Sequence, residues 1–160
     1  MKYFQRLIMV PIFLGLLYVI AWGSPILLGW DGHEEKCLPD LTLALLVKNK
    51  NAELQRGDLV FWRPSGPLSY VSSKYVMKLV GGVPGDRVRV AEGTVFINGE
   101  VLVKGFPLLD PKADPSIFNR EAIIPRGSIF VYGTHTHSND SRYWGYLPVE
   151  LIEGKGYEIF

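Results

Sequence analysis

The sequence predicts a mainly β domain, an antiparallel sandwich or partly closed barrel, carried behind one N-terminal transmembrane helix. Three observations predict it. Residues 7–30, LIMVPIFLGLLYVIAWGSPILLGW, carry no charged side chain. Beyond them come short apolar runs, several alternating, broken by Gly, Pro, Asn and Asp. No sustained 3.6-residue periodicity occurs outside the first stretch.

A bilayer core of roughly 30 Å takes about 20 apolar residues as helix, so residues 7–30 can span it. Pro11 and Pro25 bracket the best-formed part of that helix. A cleaved signal peptide is the competing reading. Its apolar region would run roughly 7–15 residues, and AWGSP only faintly matches the small-residue cleavage site it needs. Lys2 and Arg6 precede the span, and Asp31, Glu34 and Glu35 follow it. The positive-inside rule then keeps the N-terminus in the cytoplasm and sends the body outward. The expected domains are residues 1–30, the cytoplasmic N-terminus and anchor, and residues 31–160, an extracytoplasmic body.

The body of this 160-residue chain is long enough for one domain with its own core. A net charge of +1 without a basic stripe argues against a nucleic-acid partner. There is one cysteine, Cys37. In an oxidising compartment a lone thiol cannot staple its own chain, so it is buried, paired with another molecule, or reactive. HEEKC puts charges where a lipidated cysteine would need small and apolar residues, which excludes that modification.

GDLVFW, residues 57–62, is a short apolar run between turn signals and reads as a buried strand. Alternation through Val76, Lys78 and Val80 reads as another. In DRVRVAEGTVFINGEVLV the pattern alternates, turns at Glu92-Gly93, alternates again, and reaches Asn98-Gly99, a strong hairpin signal. GSIFVYG and GYEIF add two strands. Residues 105–127, punctuated by Pro and Asp, read as a long surface connection.

The chemistry gathers around Lys78. A lysine held against valines loses hydration of its ammonium form, which favours the neutral amine that a base requires. The plainer reading is a lysine snorkelling at a sheet edge. Two further stretches bear on the choice. EKCLPDL places a possible nucleophile near the membrane exit, before a stiffening Pro. Residues 133–148, GTHTHSNDSRYWGYLP, crowd hydroxyls, imidazoles, an acid and an arginine ahead of an aromatic run.

The anchor, CLPD, RGDLVFW, KLVGGVPGDRV and SNDSRYWGYLP stand in the order of the signal peptidases of the serine–lysine type. The chain resembles that family over most of its length, and in particular its conjugative-pilus branch. The resemblance implies an endopeptidase with a signal-peptidase-like β domain and a general-base lysine six positions before the Pro of Pro-Gly-Asp. That lysine is Lys78, ahead of Pro84, Gly85 and Asp86. It implies that Ser138 orients the lysine, and that Asp140, Ser141 and Arg142 brace the loop. It implies no cofactor and no metal, a membrane and a protein substrate (a pre-protein or prepilin) as partners, and the outer face of a bacterial cytoplasmic membrane as the location.

Two departures stand out. Cys37 fills the place of the nucleophilic serine. A thiolate is the better nucleophile and needs less help from a base, so either the chemistry persists or the position has degenerated. Glu35 stands where larger relatives have a small hydroxyl residue at the oxyanion hole, which leaves the Cys37 N–H as the nameable donor.

His135 and His137 offer an alternative base, or two metal ligands without a third of suitable spacing; His33 reads as a solvated linker residue. Trp144 and Tyr146 read as core rather than substrate contacts. The preferred function is cleavage of a pilin or other secreted precursor, possible cyclisation included. The rivals are a housekeeping signal peptidase, disfavoured by the lack of a large inserted β domain, and a catalytically silent assembly protein.

Overall fold

A computed structural model of the chain describes residues 11, 15, 25–31, 36–107, 109, 110 and 112–159. Most of the expected anchor, with His33, Glu34 and Glu35, lies outside these residues. Among the described residues no helix is long and apolar enough to cross a membrane. The end of the apolar stretch is a strand, β1 (Ile26–Trp30), antiparallel to β2 (Leu43–Lys48). A boundary at residue 30 therefore cuts through the sheet. Apolar content alone does not separate a membrane helix from a sheet strand.

Eleven strands are described, all paired antiparallel, in two sheets. The larger runs β1-β2-β11-β3-β4-β9-β10, with β3 at Leu59–Trp62, β4 at Val76–Gly82, β9 at Ser128–Tyr132, β10 at Leu147–Pro148 and β11 at Gly154–Glu158. The smaller runs β7-β6-β5-β8, with β5 at Arg87–Ala91, β6 at Thr94–Ile97, β7 at Glu100–Lys104 and β8 at Arg120–Ile123. The partly closed barrel is not realised: both sheets end in open edges. At one end β10 is two residues long, and Pro148 has no N–H with which to extend the ladder.

Local chemistry accounts for the turns. Glu92-Gly93 and Asn98-Gly99 all have positive φ (50°, 70°, 51° and 90°), as a two-residue primed hairpin turn requires. The expected surface connection needs correction. Residues 105–127 contain a 3-10 turn (Pro115–Phe118) and strand β8, and bury Phe106 and Ile124 in the core beneath the smaller sheet. Their Pro and Asp residues punctuate short elements rather than a bare loop.

The two sheets meet at the Gly-Gly of β4. A Cβ on Gly81 would lie 2.6 Å from Leu102 Cδ2, and one on Gly82 would lie 2.6 Å from Ile124 Cδ1. The missing side chains let the smaller sheet approach, and the β4–β9 ladder shifts register between Val80 and Gly82. Next comes the Pro84-Gly85-Asp86 turn, with Gly85 at φ 92°. Asp86 accepts from the Val83 N–H (2.9 Å), from Asn98 Nδ2 (2.8 Å) and from both Arg56 Nε and Nη2 (2.8 and 2.7 Å). One carboxylate thus joins the end of β4, the β6–β7 hairpin and the chain before β3.

Candidate active site

Lys78 projects from β4 on the face shared with Val60, Val76 and Val80, three residues of one buried cluster. It is 1 % exposed, which removes the snorkelling alternative. Its Nζ donates to Ser138 Oγ at 2.7 Å, and among the described residues it forms no ion pair. The partner is a hydroxyl rather than a carboxylate.

Room for that hydroxyl comes from Gly133. β4 and β9 pair Leu79 with Tyr132, and one step further lie Lys78 and Gly133. A methyl on Gly133 would collide with the Ser138 hydroxyl and lie 2.5 Å from the Cys37 carbonyl oxygen. A side chain at residue 133 is incompatible with both neighbours.

Ser138 is fixed by the buried pair that follows it. Asp140 and Arg142 are fully buried and meet through two bonds, Nε to Oδ1 and Nη2 to Oδ2, both 2.9 Å. Asp140 also accepts from the Gly133 N–H at 3.0 Å, drawing the loop's two ends together. Arg142 Nη2 reaches the carbonyls of Ser138 (3.2 Å) and His135 (3.4 Å). Ser141 opens a one-turn helix, α1 (Ser141–Trp144), capped by the Asp140 side chain, and its Oγ accepts from the Val131 N–H at 3.0 Å. Arg120 adds a bond to the Ser141 carbonyl, 2.9 Å, and burial holds its guanidinium below the usual arginine range.

Cys37 is half-buried in a turn whose Leu38 and Leu41 insert into the core beneath β2 and β3. Its carbonyl accepts the His135 N–H at 3.0 Å. His135 thus contributes its backbone: N–H to Cys37, C=O from Arg142. Its Nδ1 accepts the His137 N–H at 3.1 Å. Among the described residues no three of His, Cys, Asp and Glu converge as a metal site would require. Trp144 packs against the cluster of Val60, Val76 and Val80, and Tyr146 against the one beneath the smaller sheet.

Cys37 and Lys78 line one cleft of about 670 Å³. One wall is β1 with Asp31; the other is residues 70–78, with Asn139 beside them. Sequence reasoning named neither β1, Tyr70, Asn139 nor Gly133 as site residues. Gly133 alone had a signal, a glycine between a strand and a polar loop.

The whole chain, residues 1–160, matches the signal peptidase family, peptidase S26, and belongs to it. It is similar to a probable signal peptidase I-2 of Synechocystis sp., 29 % identical over 109 residues, covering 66 % of this chain and 48 % of that protein. A probable signal peptidase I-1 of the same organism is 33 % identical over 105 residues, 62 % of this chain and 51 % of that protein. The chain spans about half the length of these curated relatives. A solved signal peptidase I from Enterococcus faecalis V583 aligns with 65 % of this chain and 97 % of its own, at 22 % identity and a TM-score of 0.41.

Proposed function

We propose that the chain is a membrane-anchored endopeptidase that cleaves pre-proteins at the outer face of the cytoplasmic membrane. The observation that carries this reading is the buried 2.7 Å bond between Lys78 and Ser138 in the cleft that Cys37 lines. In this reading neutral Lys78 takes the Cys37 Sγ proton as sulfur attacks the scissile carbonyl. The Cys37 N–H supports the oxyanion, and Lys78 returns the proton to the leaving amine. A thioester remains. Lys78 then deprotonates the second nucleophile, water or an amine, which releases the acyl group. Ser138 holds the amine in line throughout.

The finer reading is the conjugative branch, with a pilin precursor as substrate, small side chains before the cut, and possible cyclisation. It rests on the sequence resemblance. Lys2 and Arg6 before the apolar stretch support an inside N-terminus. Similarity to signal peptidase I proteins supports a second reading, a housekeeping peptidase acting on many exported proteins.

The test is the full chain in vesicles with two precursors, one pilin-like and one general secretory. Cleavage of the pilin-like precursor alone supports the finer reading, and cleavage of both supports the housekeeping one. Both products should vanish in Cys37→Ala and Lys78→Met. A silent assembly protein would cleave neither and would still support pilus assembly with Cys37→Ala. Protease added outside spheroplasts should digest the body; full protection would overturn the topology.

A further inference from the structure

Tyr70 is 70 % exposed, so its ring is not held by burial. Its hydroxyl is nevertheless engaged: Asn139 Nδ2 donates to it at 3.0 Å. The two residues stand on separate segments, and both line the cleft that holds Cys37 and Lys78. Asn139 directly follows Ser138, so the bond lands one residue from the Lys78 partner.

The backbone at Tyr70 is held between Leu68 and Val71, whose N–H donates to the Leu68 carbonyl at 3.1 Å, and the slack chain lies just beyond it. Leu68 is buried and Val71 packs on the same core cluster, while Tyr75 meets Phe61 edge-on at 5.2 Å. No backbone–backbone hydrogen bond joins Ser72, Ser73 or Lys74 to another described residue. With its hydroxyl released from Asn139, the exposed Tyr70 ring is free to leave this position by side-chain rotation.

We propose that Tyr70, tied by Asn139, is a size filter across this cleft that determines how bulky a group can reach Cys37. The inference deepens the peptidase reading and rests on it for its biological meaning. With the tie made, the aromatic ring stands over the cleft and admits slender extended chains. With the tie broken, the ring yields and bulkier groups enter. Asn139 is a positioning residue here, and Tyr70 makes the contact.

Cys37 is the only thiol, so its alkylation reads the filter directly by mass. The full chain is treated with iodoacetamide as the small probe and N-pyrenylmaleimide as the bulky one. Tyr70→Phe, Asn139→Ala and the double variant are compared with the wild type. Each single variant should raise the bulky-probe rate about 2–10-fold, the scale of one hydrogen bond, with little change for iodoacetamide. The double variant should match the singles, because both changes break the same bond. Tyr70→Ala should open the cleft further than Tyr70→Phe. Unchanged bulky-probe rates, additive effects, or equal acceleration of both probes would overturn the filter. Alkylation needs no turnover, so failure of the peptidase reading shows separately, as absence of cleavage by the wild type.

Discussion

Arg142 Nη2 donates to the Ser138 carbonyl at 3.2 Å, and the hydroxyl of the same serine receives Lys78 Nζ at 2.7 Å. The guanidinium also takes the His135 carbonyl, whose own N–H holds Cys37. One buried cation therefore ties together the surroundings of both proposed reacting groups. Arg142→Ala should cost about 3–5 kcal/mol, because it leaves the Asp140 carboxylate buried without its partner. Urea denaturation monitored by Trp fluorescence measures this. A midpoint within error of the wild type would show that the pair adds nothing.

Gly133→Ala tests geometry with one methyl group. The new carbon would press on the Ser138 hydroxyl and the Cys37 carbonyl together. Displacing a reacting group by about 1 Å can cost about 10²-fold in rate. The expected result is a loss of that order in kcat on a precursor peptide, and unchanged kcat would contradict the crowding.

Lys78→Met keeps a similar stem and removes the amine, and should lower turnover about 10²–10⁴-fold while the fold persists. Ser138→Ala should do less, because it frees the amine rather than removing it. A shift in the pH profile of kcat, reversed by Ser138→Thr, would distinguish positioning from a packing defect. If Lys78→Met stays active and His137→Ala does not, the histidine is the base.

Asp86 supplies a pH-dependent element. Burial alone would push its carboxyl up. The Arg56 side chain, the Val83 N–H, the Asn98 amide and the Arg56 charge together outweigh that and hold it below the usual carboxylate range. Its folded value is therefore below the unfolded value of about 3.9. The contribution is full above that unfolded value and is lost as pH falls through the folded one. Asp86→Asn should lower stability at pH 7 by about 1 kcal/mol, at the low end because Arg56 is partly exposed. It should also flatten the fall in stability below about pH 4. An unaltered acid limb in denaturation at several pH values would refute the role of Asp86.

Cys37→Ser bears on the fate of the intermediate. A thioester reacts comparatively well with amines, so the mechanism proposed above predicts that the cysteine biases release toward capture by an N-terminal amine. The serine variant should still cleave but shift product from amine-captured toward hydrolysed. The two products of a pilin-like substrate differ by one water in mass. An unchanged ratio, or no amine-captured product from the wild type, would dispose of this preference.

The sequence by itself determined the elements whose signals are local. Asn98-Gly99 and Glu92-Gly93 set the hairpins because φ > 0 is written into those residue pairs. LVFW gave β3, and alternation put Lys78 among valines. Residues 26–30 carry no local signal that separates strand from membrane span, because a strand beside a core and a helix in lipid are equally apolar. The tertiary structure alone brought residues 37, 78, 133 and 138 together, since their approach depends on the β4–β9 pairing and on Arg142 gathering loop carbonyls. It likewise decided that Tyr70 meets Asn139. No periodicity encodes a bond between two loops; it follows from where strands on either side set their ends.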